Sequence, residues 1–98
     1  MKRYQGYRTH GAVDVLVNGK QLNPRFDLWN HSPTGFEWGY GGSGPAQLAL
    51  ALLADCLGDD ATAVNLHQRY KEAIVSRLPY RGWGLSEAEI VQVVEALQ

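Results

Sequence analysis

The stretch S32-PTGFEWGYGGSGPAQLALALL-A54 places aromatics, a carboxylate, a glycine run and a proline at the entrance of an apolar segment. Gly44 followed by Pro45, with Gln47 two residues on, reads as a helix start: Gly44 as N-cap, Pro45 at the first helical position and Gln47 at the third. The helix then runs from Ala46 to about Leu57, apolar on nearly every face, and Gly58 stands where a left-handed C-terminal residue belongs. A helix with no polar face has to be covered on several sides. It is therefore expected at the centre of the fold, with the rest of the chain arranged around it.

Before this segment the chain reads as strand. Val13, Val15 and Val17 alternate with Ala12, Asp14 and Leu16, the period of a strand with one apolar face. Asn18-Gly19 follows, a pair suited to the positive φ angles of a tight hairpin turn. The returning strand would use Leu22, Phe26 and Leu28, at an edge or bulged because Pro24 lacks an N–H. Arg3 to Arg8 is expected as a further strand, and Phe36, Trp38 and Tyr40 as a short fourth strand or extended loop. After the central helix, Asp59 or Asp60 caps a second helix whose stripe is Ala63, Leu66, Tyr70, Ala73, Ile74 and Leu78, stopped by Pro79. Tyr80 to Gly84 reads as a loop. Ser86 with Glu89 forms a capping box for a third helix that buries Ile90, Val93, Val94 and Leu97. Strands first and helices afterwards predict a single α+β domain over residues 1–98, a small antiparallel sheet of three to four strands in the N-terminal half packed against three helices in the C-terminal half.

Composition excludes several classes. The 98 residues are 45% apolar and 19% charged, ordinary for a globular domain. The formal net charge of −1 gives no global attraction to nucleic acid or anionic membrane. Charge is unevenly placed: residues 1–31 carry a net +3 and residues 32–98 a net −4. The lone Cys56 allows no internal disulfide and suits a reducing compartment. No apolar run follows the Met-Lys-Arg start, and the Ala46–Ala54 run is too short to cross a bilayer. A cytoplasmic protein without a membrane partner is expected. His10, His31, His67 and Cys56 have no metal-ligand spacing, so neither metal nor cofactor is expected.

The chemistry-bearing candidates gather at the glycine run. Gly41, Gly42, Ser43 and Gly44 let backbone N–H groups converge, and a helix N-terminus adds about half a positive charge. Pro45 removes one donor, which leaves Ala46 and Gln47 as the donors nearest the glycines. Trp38 and Trp83 are candidates for contacting an apolar or aromatic part of a ligand, and Arg25 and Arg81 for supplying charge. The run lacks the Lys-Ser/Thr of a phosphate-hydrolysing loop and the parallel βαβ setting of a dinucleotide fingerprint. Its plain alternative is a tight strand-to-helix turn. A hydrolase would need Glu37 and His31 within hydrogen-bond reach, and an enzyme is not expected.

The block Ser32–Ala54, the opening Tyr4-x-Gly6-x-Arg8, the Val17–Gly19 turn, Pro24-Arg25, and Leu78-Pro79 with Trp83 together resemble an uncharacterised small domain family of phages, plasmids and integrated elements. The resemblance implies a mobile-element origin and a stand-alone domain in the host cytoplasm. It brings no assigned activity and no catalytic residues. The expectation is a non-enzymatic module binding an anionic, nucleotide-like ligand at the glycine loop, in the manner of a host-defence antagonist. The alternative is a protein-interaction module that masks a host protein, recognised by a flat surface rather than a pocket. A homo-oligomer is a further expectation, because so short a chain has little with which to cover an all-apolar helix.

Overall fold

A computed structural model describes all of residues 1–98. Strands β1 (Arg3–Thr9), β2 (Ala12–Val17) and β3 (Lys20–Gln21) precede helices α1 (Ser43–Leu57) and α2 (Asp60–Ala73). A 3-10 turn (Val75–Arg77), strand β4 (Gly82–Ser86) and helix α3 (Glu87–Leu97) complete the chain. The four strands form one antiparallel sheet in the order β3-β2-β1-β4. The fold is α+β, with the helices following the main hairpin as expected.

The Asn18-Gly19 turn forms with φ of 49° and 82°, and His10-Gly11 makes a second such turn between β1 and β2 with φ of 52° and 82°. Along β1 the inward positions are Tyr4, Gly6 and Arg8. Tyr4 is fully buried and its hydroxyl donates to Asp55 Oδ2 of α1 at 2.7 Å, which joins sheet to helix. Burial and the neighbouring carboxylate push the Tyr4 phenol far above its ordinary value, so it stays a donor throughout the accessible pH range.

Two strand expectations are corrected. The returning strand stops at Gln21, after which Leu22 N–H donates to Val15 at 3.0 Å and the chain leaves the sheet. Pro24 has no N–H to offer a ladder, and Arg25 turns into the left-handed region at φ 59°, its N–H held by Asn23 Oδ1. Of the two expectations for Phe36–Tyr40, a short fourth strand or an extended loop, the loop is what forms: Gly39 sits at φ 88° with its N–H on the Val75 carbonyl. The fourth strand is Gly82–Ser86, whose first three residues fall in the expected Tyr80–Gly84 loop, and it pairs with β1 on the side opposite β2. Trp83 and Leu85 alternate with Gly82 and Gly84, and the two glycines hide a period-two pattern.

The central helix is buried as its composition demands. All eleven residues from Gly44 to Ala54 are buried. Leu48, Leu50, Leu52 and Leu53 are wholly inaccessible, each contributing about 1.5–3 kcal/mol relative to an exposed side chain. The helix begins earlier than expected, with Gly42 as N-cap and Ser43 as its first residue. Pro45 thus stands third, still in the first turn where its missing N–H leaves no acceptor unfilled. Gly58 ends it in the left-handed conformation at φ 64°. Asp59 caps α2 by accepting from Thr62 N–H, and the Ser86–Glu89 capping box opens α3. Helix α2 ends at Ala73 rather than running to Leu78, because the chain tightens into the 3-10 turn before Pro79. One chain supplies the whole cover of α1. No helix is long and apolar enough to cross a membrane.

Gly6 is the tightest point of the sheet, since a Cβ there would lie 2.5 Å from the Trp83 indole. Gly6→Ala should destabilise the protein by about 1–3 kcal/mol, as overpacking does. The same change in a Trp83→Leu background should cost much less. Equilibrium urea unfolding of the four proteins measures that coupling.

Candidate functional site

The segment before α1 is organised around an arginine that arrives from the sheet. Arg8 projects inward from β1 and chelates Glu37: Nη2 donates to Oε1 at 2.6 Å and Nη1 to Oε2 at 3.1 Å. Its Nε donates to the Tyr80 carbonyl at 2.7 Å. The guanidinium lies between two rings, 4.6 Å from the Trp38 centroid and 3.8 Å from that of Tyr80. Such a planar, weakly hydrated cation suits both the bidentate carboxylate and the aromatic faces. Only 11% of the Arg8 side chain is exposed. The guanidinium holds the Glu37 carboxyl below the usual carboxylate range, and Glu37 raises Arg8 in return.

Trp38 is fully buried, and its indole N–H is shared between the Pro79 and Tyr80 carbonyls at 3.0 and 2.9 Å. Trp83 meets it edge-on, with centroids 5.6 Å apart and planes at 88°. Trp38 therefore has no open face for a ligand. Trp83 is half-buried against Gly6, its indole N–H enclosed without an acceptor. The aromatics that do face solvent here are Tyr40, 51% exposed, and Tyr80, 68% exposed. The Tyr80 ring lies over Arg8, and the Tyr40 ring lies over Gly42. Neither is a site residue in the sequence reading, and the alternation of Tyr4-x-Gly6-x-Arg8 is the signal that an arginine points inward beneath Tyr80.

The glycines divide by role. Gly39 needs its left-handed backbone. At Gly44 a Cβ would lie 2.6 Å from Glu37 Cβ and 3.2 Å from its backbone nitrogen, so the helix start and the Glu37 segment approach as closely as glycine alone permits. At Gly42 only the exposed Tyr40 ring stands in the way, and at Gly41 nothing does. Ala46 N–H donates to the Gly42 carbonyl at 3.0 Å and is not available to a ligand. The N–H groups ahead of that first intrahelical bond belong to Ser43 and Gly44. The first turn of α1 carries no acidic side chain.

Gln47 is likewise committed. Its side chain is fully buried, with Oε1 accepting from the N–H groups of His31 (2.7 Å) and Ser32 (3.2 Å). Its Nε2 donates to the carbonyls of Pro24 (2.6 Å) and Trp29 (3.0 Å). Gln47 thus clamps the 24–32 arm onto the central helix and satisfies its own amide in doing so. Arg25 bridges Asp27 and Asp60 at the surface, which commits it away from the glycine loop. Arg81 is exposed just before β4. The structure thus gathers Gly44 and Trp38 about the Arg8–Glu37 pair, sets Gly42 under the Tyr40 ring, and gives Gln47 and Arg25 structural duties elsewhere.

Glu37 engages Arg8 while His31 engages His67, so the polar pair a hydrolase would require is not formed by these two residues. No three His, Cys, Asp or Glu side chains converge as metal ligands. Cys56 is half-buried beside the Glu87 carbonyl, and burial pushes its thiol up, as for a small packing residue. The surface forms no pocket.

Glu37→Gln should lower stability by about 2 kcal/mol at neutral pH, the scale of hydrogen bonds to charged groups. Because Glu37 is depressed in the folded state, its contribution is present above the unfolded carboxyl value near 4.3 and is lost as pH falls further. Urea midpoints of the two proteins should therefore differ at pH 7 and converge on acidification.

No curated protein and no solved structure matches this chain. Residues 4–96, nearly the whole fold from Tyr4 through α3, match the model of a family of unknown function, DUF6166. The chain belongs to that family.

Proposed function

We propose that this domain is a non-enzymatic binding module that docks on another protein through the ridge formed by Tyr40 and Tyr80. The observation that carries the reading is the exposure of these two large rings, Tyr80 over the pre-ordered Arg8–Glu37–Trp38 base and Tyr40 over Gly42, on a surface without a pocket. Tyrosine presents wide amphipathic contact area with few rotatable bonds, and rings already held in place lose little freedom on binding. Arg81 adds a cation close in sequence to the Tyr80 side of the ridge. In the phage or plasmid setting that the sequence resemblance suggests, a module of this kind acts by masking a host protein, including a component of host defence.

A second reading keeps the glycine loop as an anion site, with the N–H groups of Ser43 and Gly44 as donors in place of Ala46 and Gln47. The unacidified first turn of α1 favours it. A nucleotide-like ligand would then lie across the surface beside Tyr40 rather than inside a cavity.

The two readings part in one experiment. Tyr40 and Tyr80 are exposed, and the Arg8 bond to residue 80 is to its backbone carbonyl, so Tyr40→Ala/Tyr80→Ala should fold, losing about 0.5–1 kcal/mol with the Tyr80–Arg8 stacking. If the ridge is the contact, tagged wild-type protein retains a specific host protein that the double variant loses at least tenfold, and nucleotides leave the melting temperature of the free domain unchanged. Retention by both proteins alike, or a nucleotide-dependent rise in melting temperature, contradicts the docking reading.

A further inference from the structure

His31 and His67 are far apart in sequence, yet their Nε2 atoms lie 2.9 Å from one another. His67 belongs to α2 and is 1% exposed. Its Nδ1 stands 2.7 Å from the Val64 carbonyl. A carbonyl only accepts, so His67 Nδ1 carries a hydrogen. The contact between the two Nε2 atoms then has room for one proton, which lies on His31 when both rings are neutral. A further proton either charges His31 at its free Nδ1, against the Lys71 ammonium, or, placed on His67 Nε2, sets two N–H groups head to head. Trp29 stacks on His31 with centroids 4.7 Å apart and planes at 16°, and it also touches His67 at 5.6 Å.

We infer that the His31–His67 contact is a proton-controlled latch: with one shared proton it holds His31 and Trp29 against α2, and full protonation swings both side chains outward. The backbone beneath stays in place, because Gln47 of α1 grips His31 N–H, Ser32 N–H and the Trp29 carbonyl independently of any charge. Around the pair, α1 contributes only the neutral Gln47 amide. Helix α2 contributes the Val64 carbonyl and the Lys71 ammonium, which opposes positive charge on His31. Arg25 pairs with both Asp27 and Asp60 at the near end of the arm and at the α2 N-terminus, which leaves one net negative charge there. Burial, His67 and Lys71 all lower the affinity of His31 for a proton. The closed form is therefore the more stable one above the ordinary imidazole value of about 6.5, and it loses ground as pH falls below that. Opening would remodel the surface that carries Phe26 and Trp29, already 40% and 50% exposed, so a contact made there becomes pH-dependent.

Tryptophan emission against pH between 8 and 5, with far-UV circular dichroism alongside, tests the latch. The expected result is a sigmoidal change in emission below about pH 6.5 with unchanged dichroism. That change should vanish in Trp29→Phe, which identifies the reporter, and in His31→Gln, whose ring is only half-buried and whose dichroism checks its fold. A flat emission profile in the wild type, a transition retained in His31→Gln, or emission that changes only as secondary structure melts would each overturn the latch.

Discussion

The burial of α1 on every side sets the demands that the remaining elements meet. From Gly44 to Ala54 every residue is buried, so the sheet, α2, the 3-10 turn and the irregular 22–42 segment must all lie against it. A chain of this length has few layers to spare. It therefore uses loops as well as regular elements as cover, and those loops bring polar backbone groups into the interior that need partners.

Two side chains answer that need. Gln47, the polar residue inside the buried run, takes up four backbone groups of the 24–32 arm. Arg8 reaches from β1 to fix both Glu37 and the Tyr80 carbonyl, while Trp38 binds that carbonyl from the other side. The two clamps tie the irregular segments to helix and sheet at opposite ends of the glycine-rich block. In Gln47 both amide hydrogens and both acceptor positions of the oxygen are used, and Arg8 commits its Nε, Nη1 and Nη2 to fixed acceptors, the condition under which buried polar groups strengthen a fold.

Much of this was legible in the sequence. The all-apolar run declared a central helix, Asn18-Gly19 a hairpin, and Ser86 with Glu89 a helix start, because each rests on local chemistry. What escaped was set by contacts between distant segments. Strand β4 was hidden by Gly82 and Gly84, which are outward positions without side chains. The Phe36–Tyr40 alternation imitated a strand, although Gly39 turns out of the extended region to reach Val75. Gln47 resembled a helix-start residue and is a clamp, and the meeting of His31 with His67 has no sequence signature. At the glycine block, composition pointed to converging N–H groups, whereas the space requirement at Gly44 and the capture of Glu37 by Arg8 depend on the folded arrangement.

The glycine block is therefore first a joint: Gly44 lets the start of α1 press on the Glu37 segment, and the binding surface is what that joint holds outward. The most direct measurement of this claim is the melting temperature of Gly44→Ala. Helix propensity alone would raise stability by up to about 1 kcal/mol, since alanine is the better helix former. A joint that a methyl group cannot enter predicts the opposite sign, a loss of about 1–3 kcal/mol and a fall of several degrees. A melting temperature equal to or above that of the wild type would contradict the account and return Gly44 to the status of an open loop position.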